Sequence, residues 1–178
     1  WPISLEIAGA RLSLNQDGSV QLQVGATEIG QGADTVFSQM AAETLHMDIS
    51  RVHIVTQQDT DVTPFDTGAY ASRQSFVTGT AVKECAQQLK QKILEYARTL
   101  VPGNVDRLEL EDGYILADGK PAISLEDLAM ESYYSLSNSS VLTAEVSRQV
   151  KKNTVASGCC FAEVEVDMKL GKIKVLDI

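Results

Sequence analysis

The sequence predicts an α+β fold built from two-layer, sandwich-like units in which helices pack on antiparallel or mixed sheets. Three observations carry this expectation. Residues 10–25 alternate with the two-residue period of a strand around Asn15-Gln16-Asp17-Gly18, and Asp-Gly is a strong hairpin-turn signal. Val82, Cys85, Ala86, Leu89, Ile93, Tyr96, Ala97 and Leu100 recur at steps of three and four, which marks one face of a long helix. A hairpin followed by a helix occurs at residues 10–47 and recurs at 107–133.

After the first hairpin, Phe37, Ala41 and Leu45, flanked by Val36 and Met40, place a helix over residues 33–47. Residues 51–56 (RVHIVT) read as a strand with Val52, Ile54 and Thr56 on one face, and a polar loop runs from 57 to 74. The long helix covers 75–100 and stops at Pro102-Gly103. Residues 108–117 form a second hairpin around Asp112-Gly113. Ser124-Leu125-Glu126-Asp127 has the capping-box pattern, with Asp in place of Glu, and opens a short helix to about Tyr133. The Ser- and Asn-rich stretch 132–140 reads as exposed loop, followed by strands at 141–147, 159–167 and 172–178. Glu163 and Glu165 alternate with Val164 and Val166 as the solvent face of a half-buried strand.

These elements group into residues 1–105, a hairpin-helix-strand-helix unit, and 106–178, a second α+β unit. The abrupt Trp1-Pro2 start and the strand pattern of the last residues read as a piece of a larger protein.

Composition excludes several classes. The net charge is -9 and no basic cluster beyond Lys151-Lys152 offsets it, which argues against a nucleic-acid surface. No apolar run reaches membrane-spanning length, and the first residues lack the pattern of a secretory signal. Cys85 lies on the apolar stripe and reads as a buried thiol, whereas Cys159 and Cys160, adjacent on a strand, would face opposite ways. Three cysteines make no disulfide framework, so a reducing, cytoplasmic setting fits best. His46 and His53 lack zinc-ligand spacing, and His46 reads as a contact at a helix C-terminus. Asp59, Asp61 and Asp66 lack the glycine and terminal glutamate of a calcium loop and read as solvated carboxylates. Neither a nucleophilic-serine elbow nor a Gly-Lys-Ser/Thr phosphate loop is present.

Two glycine-bounded polar loops remain. The first, residues 27–35, places Gly30-Gln31-Gly32 where a strand gives way to a helix. The second, residues 63–79, offers Gly68, Ala69 and Ala71 for close backbone approach, then Ser72, Arg73, Gln74 and Ser75 as donors ahead of the long helix. First-turn N–H groups of a helix have no internal partner and favour anions, and an arginine fork binds two phosphate oxygens. The residues therefore allow a cradle for a large anionic cofactor. They equally allow a non-enzymatic ligand-binding or interaction module, or a structural domain whose loops merely cap helices.

Both loops resemble those of the molybdenum hydroxylases, the xanthine dehydrogenase and aldehyde oxidase family. Glu28-Ile29-Gly30-Gln31-Gly32 is similar to the Glu-x-Gly-Gln-Gly segment of the molybdenum-binding subunit. Gly68-x-x-x-Ser72-Arg73-x-Ser75-x-x-x-Gly79-x-Ala81 is similar to the second cofactor loop, with Ser75 where bacterial members often carry Thr. Residues 162–167 followed by Gly171 resemble the family's strand pair, and all three motifs stand in the family's order and spacing.

The resemblance implies that Gln31 lies near the metal's oxo ligand or the pterin dithiolene, with Ile29, Gly30 and Ala33 lining the pocket through backbone. It implies that Ala71, Ser72, Arg73, Gln74 and Ser75 hold the molybdopterin and its phosphate tail or cytosine dinucleotide. The family hydroxylates purines, related heterocycles or aldehydes with oxygen from water, and passes electrons through iron–sulfur clusters to FAD. The expected partners are the rest of the molybdenum subunit, iron–sulfur and flavin domains or subunits, and a small-molecule substrate. Apolar strand edges also favour self-association into a homo-oligomer. The family's catalytic glutamate segment is not among these residues, nor is an iron–sulfur cysteine pattern. The chain alone is therefore expected to be inactive, and no glutamate here inherits the role of base.

Overall fold

In a computed structural model, which describes residues 6–152 and 154–178, β1 (Glu6–Leu14) and β2 (Val20–Val24) form the first hairpin. The Trp1-Pro2 start lies outside the described residues. Ala8, Ala10, Leu12 and Leu14 of β1 and Val20, Leu22 and Val24 of β2 face the core, so the period-two alternation is realised as burial. The sheet order is β3-β2-β1-β7, where β3 is Val52–Ile54 and β7 is Thr143–Val150. β7 pairs antiparallel with β1 from Glu6↔Val150 to Ser13↔Thr143, while β3 runs parallel to β2.

Helix α1 (Ala33–Leu45) and helix α2 (Gln74–Leu100) cover this sheet. The stripe Val82, Cys85, Ala86, Leu89, Ile93 and Ala97 is fully buried. Each such large apolar side chain contributes roughly 1.5–3 kcal/mol on leaving water. Glycine at 79 lets the helices approach: a Cβ there would lie 2.6 Å from Met40 Sδ.

The second hairpin, β4 (Leu108–Glu111) and β5 (Tyr114–Ala117), is extended by a third strand, β6 (Lys120–Ser124), where no strand was expected. β6 carries Pro121, which a strand tolerates at an edge because it lacks a donor. Helix α3 (Leu125–Tyr134) starts at the expected N-cap: Ser124 Oγ accepts the Asp127 N–H at 3.0 Å, while the Asp127 carboxylate accepts from the Ser124 hydroxyl at 2.5 Å and not from its main-chain N–H. Leu110, Ile115, Leu125 and Leu128 join the same continuous core as the first sheet. A division at residue 105 therefore cuts across shared packing, because β7 closes the first sheet.

Three expectations are corrected. β1 begins at Glu6, four residues earlier than the alternation indicated, since its first residues pair with β7 and not with β2. Cys159 and Cys160 are exposed and precede the next strand, so they do not sit on it. The final hairpin, β8 (Glu163–Asp167) and β9 (Lys172–Asp177), is not half-buried; both strands are exposed throughout. Its register still separates chemistry, with Val164↔Val175 and Val166↔Ile173 on one face, and Glu165↔Lys174 and Asp167↔Lys172 on the other.

Candidate functional site

Gln31 leaves its loop through a glycine on each side, Gly30 at φ 99° and Gly32 at φ 79°, both open to left-handed backbone only at low steric cost in glycine. Both ends of its side-chain amide are engaged. Oε1 accepts the Ile29 N–H at 2.7 Å, and Nε2 donates to the Thr27 carbonyl at 3.0 Å and to Gln74 Oε1 at 2.5 Å. Gln74 Nε2 donates to the same Thr27 carbonyl at 3.1 Å. The two loops expected to act together are thus joined side chain to side chain at one main-chain acceptor.

Glu28 organises the same turn from within. Its Oε1 accepts N–H groups from Gly30 at 2.7 Å and Gly32 at 3.0 Å, and Oε2 accepts from Asp34 at 3.1 Å. The bond from Asp34, followed by those from the glycines, holds the Glu28 carboxyl below the usual carboxylate range. This corrects the sequence-based expectation that α1 offers an open anion cradle: a carboxylate of the loop itself already fills it. Asp34 beside it is shifted the other way, first by burial and then by the Glu28 charge.

The second loop crosses the start of the sheet, where β2 ends and β1 continues paired on its other side with β7. Asp66 bridges to Ala8 there. The crossing is close: a Cβ on Gly25 would fall 2.0 Å from the Pro64 carbonyl, and one on Gly9 2.7 Å from Pro64 Cβ. The chain then turns through Ala71 at φ 51° and Ser72 at φ 55°, two consecutive non-glycine residues in the left-handed region. Such residues cost about 1–3 kcal/mol each and persist only where surroundings hold them. Helix α2 follows at once, with no side-chain cap on its N-terminus. Its first N–H groups, at Gln74 and Ser75, precede the first intrahelical acceptor bond, made by Phe76 and Val77 to the Arg73 carbonyl.

Ile29 and Gln31 from the first loop and residues 69–75 from the second line one open pocket of about 350 Å3. Of the residues expected at the site, Ile29, Gln31, Ala71, Ser72, Arg73, Gln74 and Ser75 meet here. Gly30 lies between two of them without lining the pocket, and Ala33 is buried in the core as the first residue of α1. Tyr70 also lines the pocket and was not singled out from sequence; an aromatic within the small-residue run 68–71 was the available signal.

Arg73 is the sharpest correction. Its fork was expected to reach a phosphate, yet the side chain is 1% exposed. Nε pairs with Glu6 Oε2, Nη1 donates to Asp66 Oδ1 at 2.5 Å and to the Gly68 carbonyl at 2.8 Å, and Nη2 donates to the Ile7 carbonyl at 2.9 Å. Burial alone would lower the arginine pKa, but the pairs with Glu6 and Asp66 outweigh it and raise it. The Asp66 carboxylate is correspondingly not solvated, its side chain being wholly buried, and Oδ2 accepts from Thr78 Oγ1 at 2.7 Å.

Among the described residues the pocket lining contains no carboxylate, despite a chain charge of -9. Backbone N–H groups, hydroxyls and amides around an uncapped helix start fit an anionic group. A larger hollow of about 600 Å3 at the other end of α1 is lined by Glu43, Asp48, Glu111 and Asp112, the wrong sign for such a ligand. His46 caps α1 there in the left-handed region at φ 53°, with Nδ1 2.6 Å from Glu111 Oε2. Among the described residues no group of acidic, His or Cys side chains is arranged to hold a metal ion.

These two loops meet over an uncapped helix start on an α+β scaffold. A family model described as "Molybdopterin cofactor-binding domain" matches residues 2–178, and the chain belongs to that family. It is 47% identical over 178 residues to the xanthine dehydrogenase molybdenum-binding subunit of Escherichia coli O157:H7, covering 98% of this chain and 24% of that one. It is 29% identical over 119 residues to the 6-hydroxypseudooxynicotine dehydrogenase complex subunit gamma of Paenarthrobacter nicotinovorans, covering 66% of this chain and 15% of that one. The fold matches crystalline quinoline 2-oxidoreductase from Pseudomonas putida 86 with a TM-score of 0.76 at 21% identity, over 96% of this chain and 22% of that one. The chain thus spans about a quarter of the length of the xanthine dehydrogenase subunit it matches.

Proposed function

We propose that this chain forms part of the molybdopterin site of a xanthine dehydrogenase-like hydroxylase. The observation that carries the reading is the carboxylate-free pocket in which the Gln31 loop meets the uncapped start of α2. The bound molybdenum cofactor would supply the oxidative hydroxylation of a purine, related heterocycle or aldehyde. The residues here do the holding. Gln31, steadied by Gln74, presents its loop to the metal end of the cofactor. Ser72, Ser75 and the free N–H groups at the start of α2 take the anionic tail, which we assign as the cytosine dinucleotide form. Ile29 and Tyr70 supply apolar surface, being 69% and 42% exposed.

The general base, electron-transfer centres and remaining pocket walls belong to the rest of the molybdenum subunit and to iron–sulfur and flavin partners. The chain alone is therefore inactive, and its setting is the cytoplasm. Among the described residues no helix is long and apolar enough to cross a membrane.

The test uses the full-length protein carrying Gln31→Ala or Ser72→Ala. Each substitution is expected to lower molybdenum content or turnover while circular dichroism stays that of the parent. Full metal loading and activity in both variants would leave the loops as helix caps and nothing more.

A further inference from the structure

Resting on that site reading, we propose that Arg73 is a positioning residue that holds the Ala71–Ser72 turn open toward the ligand while its guanidinium makes no contact with it. The guanidinium donates in four directions, to Glu6, Asp66, the Gly68 carbonyl and the Ile7 carbonyl. Those partners sit on β1 and in the loop, and Asp66 passes the grip on to Thr78, one turn into α2. The Arg73 N–H closes the turn itself by donating to the Tyr70 carbonyl at 3.1 Å. Tyr70 lies with its ring 5.6 Å from the guanidinium carbon, and its hydroxyl donates toward Glu6 Oε1 at 3.4 Å. One cation thereby ties the first strand, the pocket wall and the helix that begins at the pocket.

The division of labour along the loop makes this role specific. Upstream, the crossing is secured by close contact of Pro64 with Gly9 and Gly25, which needs no arginine. Downstream, nothing comparable supports the two left-handed residues, because Ala71 and Ser72 are exposed. A left-handed conformation is unfavourable for L side chains, so an unsupported turn would relax. Relaxation would redirect the N–H groups at the helix start. Lysine cannot substitute: it offers a point charge where a planar fork must serve partners in several directions. Four of the five N–H donors of the fork are committed inward, and the side chain is 1% exposed, so it is poorly placed to take a phosphate.

The experiment uses the full-length holoenzyme with Arg73→Lys, Asp66→Asn and the double variant, and reads molybdenum and pterin phosphate per folded protein after dialysis at low and high salt. Leu89→Ala, a core change away from the pocket, serves as a control for lost stability, compared at matched distance below its Tm. Each single variant is expected to retain about tenfold less cofactor, the scale on which supporting partners of a bound group act. The double variant is expected to lose no more than either single one, because both break one network. The loss is expected to be independent of salt and absent in Leu89→Ala.

Full retention in Asp66→Asn overturns the proposal, and this arm stands even if Arg73→Lys does not fold. A salt-dependent loss confined to Arg73→Lys overturns it in favour of direct anion contact. Equal loss in Leu89→Ala overturns it in favour of general destabilisation. If Gln31→Ala strips the cofactor while the Arg73 and Asp66 variants keep it, only this inference fails; if Gln31→Ala keeps it, the site reading falls as well.

Discussion

Gln31 and Gln74, forty-three residues apart, share a hydrogen bond of 2.5 Å and converge on the carbonyl of Thr27. The bond joins the tip of one loop to the first turn of α2, so neither loop is shaped independently. Truncating either amide leaves the other with an unmet partner, so the two losses should overlap. In a double-mutant cycle of Gln31→Ala and Gln74→Ala on unfolding free energy, a coupling of about 1 kcal/mol is expected. Strictly additive effects would show that the pair is an incidental contact.

The loop crossing over the sheet makes a prediction about glycine. At position 25 a methyl group would strike backbone, 2.0 Å from the Pro64 carbonyl and 2.8 Å from the Asp66 nitrogen. Gly25→Ala is therefore expected to destabilise by about 3 kcal/mol, the upper part of the range for overpacking. In a thermal melt that is a fall of roughly 6–12 °C. Gly79→Ala meets only the flexible thioether of Met40 and should cost about 1 kcal/mol. A smaller loss at Gly25 than at Gly79 would contradict the close crossing.

Acid should act on the first loop through Glu28. Hydrogen bonds from Asp34, Gly32 and Gly30 lower its folded pKa, so its contribution is present above the ordinary glutamate value and disappears as pH falls through the lowered one. The stability gap between the parent and Glu28→Gln is expected to be largest near neutrality and to close in acid. Asp34 has the opposite sign. Burial, then Glu28, raises its pKa, and its Oδ1 is buried without a hydrogen-bond partner. Its charged form opposes folding, so stability is lost as pH rises from the ordinary aspartate value through the raised one. Asp34→Asn is expected to raise Tm at pH 7 and to change it least in acid. A lowered Tm at pH 7 would show that the Asp34 charge is being used.

The three thiols should separate by reactivity. Cys85 is buried against β7, with Sγ 3.2 Å from the Ala144 carbonyl, and burial pushes its pKa up to about 11. Only the thiolate reacts, so Cys85 should stay silent in the folded chain. Cys159 and Cys160 are exposed. Alkylation followed by mass spectrometry should mark Cys159 and Cys160 natively and Cys85 only in denaturant. Native labelling of Cys85 would contradict the packing of α2 on β7.

Much of the fold was legible because it is set by local periodicity. The stripe along α2 buries as its spacing requires, and the Ser124 cap starts α3 with a bond to the residue three positions on. The Asp17-Gly18 and Asp112-Gly113 turns fall between strands, with Gly18 and Gly113 at positive φ. The pocket was legible as two loops of donors. β6 was not, since it carries Pro121 and holds only by pairing with β5. Nor was the exposure of β8 and β9, because alternation predicts two faces without saying whether anything covers either.

By itself, then, the sequence determined the elements other than β6, the two polar loops and their family resemblance, all of which depend on residues within a few positions of one another. The tertiary structure alone decided how each charge is used. Glu28 turns back into its own loop and fills the start of α1, leaving α2 as the open helix end. Arg73 faces Glu6, sixty-seven residues upstream, and not the pocket. An arginine beside a helix start reads as a phosphate ligand until its partners are known, because direction depends on which carboxylates the fold carries to it. Here β1 and the crossing loop bring two.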